Sequence, residues 1–168
     1  MKNGIKVVAN NYASSNVDMP TMPLDILSVF NNDNSVVVFD VGGDDDGALA
    51  LGQYKQYFDK YGYEMHFIVN TKRPLTRTND ELIEIAERIE SASRLKFTDI
   101  YNNTNLSDQT DETTLFSGYD EIKMLSKKMG IVIKKNCGID KALSNVPTNL
   151  KDTVFRMNIC NLRPWEIQ

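Results

Sequence analysis

The sequence predicts an α/β protein in three layers (α/β/α), with a mainly parallel sheet between helices. The alternation of two kinds of segment predicts this class. Short apolar runs rich in β-branched and aromatic residues alternate with stretches of helical periodicity. Such alternation is typical of βαβ units, whose parallel strands need helical crossovers. The length of 168 residues suits one folding unit, so we predict a single domain over residues 1–168.

The elements of the first part of the chain are predicted from its apolar runs and from the residues that start and end helices. We expect strands at residues 5–9, 35–41 and 63–69, a short helix at 23–30, and one helix from 44 to 61. The run at 35–41 is apolar at successive positions, which favours a strand buried on both faces. Asp44 to Asp46 suit the start of the following helix, and Gly62 is placed to end it.

The second part continues the alternation. Thr78 and Glu81 form a capping box ahead of an apolar stripe, which predicts the best-defined helix of the chain. We expect further strands at 97–101 and 131–135, a polar loop at 107–114, a helix at 115–129 ended by Gly130, and a broken helix at 140–155.

Composition narrows the class of protein. A net charge of −4 gives no clear nucleic-acid signal and no electrostatic case for a membrane surface. No apolar run approaches the roughly 20 residues that span a bilayer, and the amino terminus lacks a signal-peptide core. Cys137 and Cys160 form no C-x-x-C pair, and the single His66 completes no zinc site with them without carboxylates. We therefore expect a cytoplasmic protein with no membrane span.

Asp40 is the first candidate site residue. It closes the run of Val36 to Phe39, and Gly42 and Gly43 follow. A carboxylate at the end of a strand can hold Mg²⁺ through water, and glycines let backbone N–H groups approach a phosphate. The alternative is structural: Asp40 caps the turn and the glycines permit it.

The next carboxylates, Asp44 to Asp46, can be read in two ways. Adjacent carboxylates can bind Ca²⁺ or Mg²⁺. Their spacing is not that of an EF-hand loop, and the positive end of a helix dipole accounts for the charge. We favour the helix start.

Two further strand ends carry polar residues. Because ligands of parallel sheets bind at the carboxyl ends of strands, residues 70–73 and 102–105 join 40–43 as candidates. The amides of Asn102 and Asn103 can match the edge of a purine, although asparagine also favours turns. Lys72 and Arg73 can contact phosphate or an acidic partner, or remain solvated.

Three motifs together resemble the deviant P-loop ATPases of the MinD/ParA type. They are VVVFDVGGDDDGALALGQY from Val36, FIVNTKRPLT from Phe67 and NNTNL from Asn102. The resemblance runs from about Ile5 to the end of the chain, and the order and spacing of the motifs are more specific than any motif alone. It implies an ATP- and Mg²⁺-dependent switch that dimerises and acts on an unknown protein partner.

The resemblance also implies roles for single residues. Asp40 matches the acidic residue that closes the Walker B strand, where it positions metal and water. Gly43 completes the D-x-x-G of the second switch region, which senses the terminal phosphate, with Gly42 beside it. Asn102 matches the base-contacting asparagine, and Asn103 is the alternative register.

One family motif does not occur in the sequence. No G-x-x-x-x-G-K-[ST] loop is found, so the resemblance covers the carboxy-terminal two-thirds of such a domain. Because that loop supplies most of the phosphate contacts, we expect this chain alone to bind and hydrolyse no ATP. The alternative is a nucleotide-free interaction module, with Asp44 to Asp46 and residues 107–114 as contact surfaces. A response-regulator receiver fits poorly, because its acidic pair should follow the first strand.

Overall fold

A computed structural model describes residues 4–8, 24–31 and 35–158. The chain divides into two compact units, Met1–Tyr63 with Arg88–Leu95, and Glu64–Glu87 with Lys96–Gln168. Within the described ranges, no helix is both long and apolar enough to cross a membrane.

The first unit is helical in its described part. It contains a 3₁₀ helix at Leu24–Asn31, α1 at Asp45–Gly52, α2 at Lys55–Tyr61 and the end of α3, which spans Asn79–Ser93. Aromatic rings cluster in this unit: Phe30 stacks on Tyr57 at a centroid distance of 4.9 Å, and Phe39 meets the buried Phe58 edge-on at 5.2 Å. The short helix predicted at 23–30 is thus present in its described part, as the tighter 3₁₀ form.

The predicted start and stop of the next helix are confirmed, but its continuity is wrong. Asp44 caps α1 by accepting a 2.9 Å hydrogen bond from the Gly47 N–H, and Gly62 follows α2 with φ of 78°. The helix breaks after Gly52, where the chain passes close to the backbone of α3. A Cβ at Gly52 would lie only 2.8 Å from the Ala92 carbonyl oxygen.

The buried strand predicted at 35–41 is wrong. These residues form no strand, and the side chains of Val36 and Val38 are 94% and 85% exposed. A strand forms only where a neighbouring chain completes its hydrogen bonds, and none of the four strands of the described sheet has this segment as a neighbour. The described residues of the first predicted strand, 5–8, are likewise irregular. The loop expected at 10–22 lies outside the described residues.

The second unit holds a four-stranded, all-parallel sheet. Its strands lie side by side in chain order: β1 at His66–Val69, β2 at Asp99–Asn102, β3 at Val132–Gly138 and β4 at Val154–Arg156. The predicted α/β class is confirmed, and the arrangement is consistent with three layers. In register, His66 lies beside Asp99 at one end and Val69 beside Asn102 at the other.

Two of the helices predicted for this unit are present, and one of them is interrupted. At the start of α3, Thr78 Oγ1 accepts from the Glu81 N–H, and Glu81 Oε2 accepts from the Thr78 N–H at 3.0 Å, which confirms the capping box. The helix predicted at 115–129 is two helices, α4 at Glu112–Phe116 and α5 at Tyr119–Met129. They are separated at Gly118, and Gly130 ends α5 in the left-handed conformation.

The helix predicted at 140–155 is broken near Pro147, as expected, but its α-helical form is wrong. The segment forms 3₁₀ helices at Asp140–Leu143 and Thr148–Thr153, and then β4. Pro147 lacks an N–H and restricts the residue before it, so an α-helix cannot run through this position without losing hydrogen bonds.

The core of the second unit lies on one face of its sheet. Val69 and Ile100 are buried there, with Leu115 of α4 and Ile122 and Leu125 of α5 among the fully buried side chains. The alternate positions Ile68 and Val132 are 55% and 64% exposed. The buried face therefore fixes the register of the strands, and with it the positions of the residues at both ends of the sheet.

Candidate functional site

The carboxyl ends of β1 and β2 are joined by side-chain amides. Asn70 follows β1, and its Nδ2 donates to the Asn105 carbonyl oxygen while its Oδ1 accepts from the Asn105 N–H, both at 3.2 Å. The same Oδ1 accepts from the Lys72 N–H at 2.9 Å. One asparagine thus uses both the donor and the acceptor of its amide to hold two strand-end loops together.

A pair of threonines reinforces this junction. The Thr71 N–H donates to Thr104 Oγ1 at 3.2 Å, and the two hydroxyl oxygens lie 3.2 Å apart. Thr71 and Thr104 are both buried. Because buried polar groups are costly to leave unpaired, these bonds make the two loops one ordered structure.

Asn102, the first of the two predicted base-contacting residues, has an amide that bonds to the protein itself. Its side chain is fully buried. Nδ2 donates to the Leu115 carbonyl oxygen at 3.1 Å and to Asn136 Oδ1 at 3.0 Å, and Oδ1 accepts from the Thr104 N–H at 3.1 Å. Both amide hydrogens are used, so in this arrangement Asn102 has no donor left for a ligand.

Asn103 differs from Asn102 in this respect. Its backbone is fixed, because its N–H donates to the Val69 carbonyl oxygen at 2.8 Å and its carbonyl accepts from Asn105 Nδ2 at 2.7 Å. Its side chain is only partly buried and makes no hydrogen bond with the described residues. Of the two predicted registers, Asn103 is the one that presents an amide at the carboxyl edge.

A cavity of about 350 Å³ opens beside these loops. It is lined by Thr71, Lys72, Arg77, Ser117, Gly118 and Glu121. The exposed Lys72 and Arg77 bring positive charge to it, and α5 begins at its rim without a side-chain cap. Positive side chains and a helix start favour an anionic group, whereas the Glu121 carboxylate opposes one. Arg73, predicted with Lys72 as a phosphate contact, is exposed and does not line this cavity.

In the first unit, the residues around Asp40 are largely open. Asp40 was predicted to end a buried strand, but it lies in the irregular segment 35–41 and is exposed. It forms no ion pair or hydrogen bond with the described residues. Gly42 packs by its backbone against Gly47, where a Cβ would come within 3.1 Å of the Gly42 nitrogen. A Cβ at Gly43, by contrast, would have no atom within 4 Å. Nothing in the packing therefore requires glycine at 43, and its predicted role in phosphate sensing stays a prediction.

Two of the three carboxylates after Gly43 make stabilising contacts within the fold. Asp44 caps α1, as predicted, and Asp45 forms a 2.7 Å ion pair with Arg88 of α3. The hydrogen bond from the Arg88 guanidinium lowers the pKa of Asp45. Asp46 is exposed. Among the described residues, these carboxylates do not form a group of three metal ligands.

Sequence reasoning identified the strand ends 70–73 and 102–105 but gave no role to the two threonines within them. Thr71 and Thr104 each follow an asparagine after a strand, and this repeated Asn-Thr pair was the available signal. Gly118 gave no such signal. Its backbone lies against Thr71 so closely that a Cβ would sit 2.2 Å from Thr71 Oγ1, a contact that depends on tertiary packing alone.

Comparisons with known proteins add no assignment. No protein-family model matches the chain, and neither the curated proteins nor the solved structures give a match. The resemblance to MinD/ParA-type ATPases therefore stays a prediction from the motifs, and the fold class is what the structure adds to it.

Proposed function

We propose that the chain is part of an ATP-binding switch of the MinD/ParA type, which binds ATP with Mg²⁺ and dimerises around it. One observation carries the proposal: two asparagine-containing loops are hydrogen-bonded together at the carboxyl edge of a parallel sheet. Sheets of this kind bind ligands at that edge. Loops ordered in advance also lose less conformational entropy when a ligand arrives.

On the base side, the proposal assigns adenine contact to Asn103. Its amide has a donor and an acceptor available, which is what the edge of a purine requires. Asn102 then has a structural role, because its side-chain hydrogen bonds link β2 to α4 and β3. This assignment takes the alternative register of the motif, and the buried, fully bonded amide of Asn102 supports it.

On the phosphate side, the proposal keeps the roles that the motifs imply. Asp40 would hold Mg²⁺ through water, with Gly42 and Gly43 approaching the terminal phosphate. The exposed carboxylate of Asp40, which pairs with none of the described residues, supports a role outside the fold. Hydrolysis would need the phosphate-binding loop that the sequence lacks, so we expect no turnover from this chain alone.

The test is isothermal titration with Mg-ATP on two proteins, this chain and a form extended by any in-frame upstream sequence of its gene. We expect binding by the longer form and none by the chain that begins at Met1. In the longer form, Asn103→Ala should weaken binding about tenfold, because a bidentate base contact is worth about 1–3 kcal/mol. Asn145→Ala, at an exposed asparagine, is the matched control.

Two results would contradict the proposal. If the longer form carried the phosphate loop and still bound no nucleotide, the assigned function would be wrong. If Asn103→Ala bound ATP as tightly as Asn145→Ala did, the base contact would be wrong while the function survived.

A second candidate is a nucleotide-free interaction module that retains the fold. The satisfied amide of Asn102 favours it, because the edge is internally bonded without a ligand. Asp40→Ala, made in the longer form, separates the two candidates. It should abolish Mg²⁺-dependent nucleotide binding by a switch, and it should leave partner capture by a pure scaffold unchanged.

A further inference from the structure

The opposite end of the same sheet holds a cluster of ionisable side chains. His66 begins β1 and Asp99 begins β2, and the two are register neighbours. Glu64 lies two residues before His66, and Lys134 lies at the irregular point of the β2–β3 pairing. Glu64, His66 and Asp99 each bring one metal-ligand atom within 4.8 Å of the others.

The geometry of His66 fixes which nitrogen is available. Its Nδ1 lies 2.6 Å from Asp99 Oδ1, and Asp99 is almost fully buried. An ionised carboxylate only accepts, so Nδ1 carries the hydrogen, and in the neutral imidazole Nε2 then carries the lone pair. Nε2 lies 3.7 Å from Glu64 Oε2, close to the roughly 3.3 Å that separates two ligands around a tetrahedral metal with bonds of about 2 Å.

Asp99 is itself held in place. Its second oxygen accepts from Thr98 Oγ1 at 3.0 Å and from Lys134 Nζ at 3.3 Å. A carboxylate that orients a histidine through Nδ1–H, leaving Nε2 for a metal, is the usual second-sphere arrangement of histidine metal sites.

Lys134 shows that a cation is already favourable here. Its ammonium lies 2.7 Å from Glu64 Oε2 as well as 3.3 Å from Asp99 Oδ2. A metal at Glu64 would have to compete with this ammonium for the same oxygen.

We propose that Glu64 and His66 form a surface site for a divalent transition metal of the Zn²⁺ class, with Asp99 as the positioning residue and Lys134 as a built-in competitor. One imidazole nitrogen and one carboxylate oxygen suit Zn²⁺ better than Ca²⁺ or Mg²⁺, which prefer all-oxygen sets. Water completes the coordination. The site is separate from the carboxyl edge and does not depend on nucleotide binding.

The experiment is a titration of the untagged chain with ZnCl₂, followed by calorimetry and by NMR of the imidazole. His66 is the only histidine, so its ring signals need no assignment. A Cys160→Ser background removes one competing thiol, and Cys137 is buried. We expect one saturable site and a shift of the imidazole signals. Binding should weaken by at least about 10- to 100-fold in His66→Gln and Glu64→Gln, because the loss of a second-sphere partner alone costs that much.

Lys134→Met provides the sharpest readout. Removing the ammonium should tighten Zn²⁺ binding, which a merely structural ion-pair network would not do. Asp120→Asn is the matched control, since Asp120 forms an exposed ion pair with Lys123 and does not belong to the cluster of His66. Unmoved imidazole signals in the wild-type chain and in Lys134→Met would overturn the site. So would His66→Gln binding as tightly as Asp120→Asn.

Discussion

Replacing Asn102 by aspartate tests the arrangement of the carboxyl edge most directly. The change keeps the shape of the side chain and the oxygen that accepts from the Thr104 N–H. It replaces the NH₂ group, which donates to the Leu115 carbonyl and to Asn136 Oδ1, by a second acceptor. Two buried acceptors would lose their donor, at about 1–3 kcal/mol each.

The expected loss is therefore about 2–6 kcal/mol of unfolding free energy, a large share of the roughly 5–15 kcal/mol of a typical domain. Asn103→Asp is the matched control, and it should change stability little because that side chain has no hydrogen bond to lose within the described residues. Urea unfolding followed by far-UV circular dichroism measures both variants. Equal midpoints for the two variants would refute the buried network.

Three further predictions concern packing, pH and thiol reactivity. Gly118→Ala should cost about 1–3 kcal/mol through overpacking, whereas Gly43→Ala, with open space around it, should be neutral in the same urea titration. Hydrogen bonds from the Thr78 and Arg77 N–H groups, just ahead of α3, lower the pKa of Glu81 below 4.5. The stabilisation by the Glu81 carboxylate is therefore complete above that pH and is lost as the pH falls through the lowered value. Acid titrations should show a smaller loss of unfolding free energy for Glu81→Gln than for wild type. Burial raises the pKa of the Cys137 thiol to about 11, so in a Cys160→Ser background the folded chain should react with iodoacetamide at pH 8 only as fast as it unfolds; rapid labelling would contradict this.

Much of the fold was predictable because its signals are local. The capping box of Thr78 and Glu81, the cap at Asp44 and the stops at Gly62 and Gly130 depend on residues within one or two turns. Each of these was confirmed, because side-chain caps start helices and glycines with positive φ end them through local interactions that do not depend on tertiary packing.

The helix breaks at Gly52 and Gly118 were not predicted. Helical periodicity runs across both positions, and each glycine is needed for a contact distant in sequence, with Ala92 in one case and Thr71 in the other. The strand expected at 35–41 failed for a related reason. β-branched composition shows that a segment suits a strand, whereas pairing requires a partner backbone.

The candidate site, too, was predicted from the sequence only in part. The motifs directed attention to both Asn102 and Asn103, but only the structure shows that the first has its amide hydrogens bonded inside the protein. The sequence placed His66 within a strand, and the pairing of β1 with β2 brought Asp99 to its Nδ1.

The sequence by itself determined the α/β class, the polar residues at the strand ends and most helix boundaries, since these follow from periodicity, capping and turn chemistry along a single stretch of chain. Tertiary structure alone decided which side-chain amides are hydrogen-bonded within the protein, which glycines the packing requires and which charged groups form ion pairs. Those outcomes depend on distances between residues far apart in sequence, and such distances exist only once the strands have paired and the helices have packed on them.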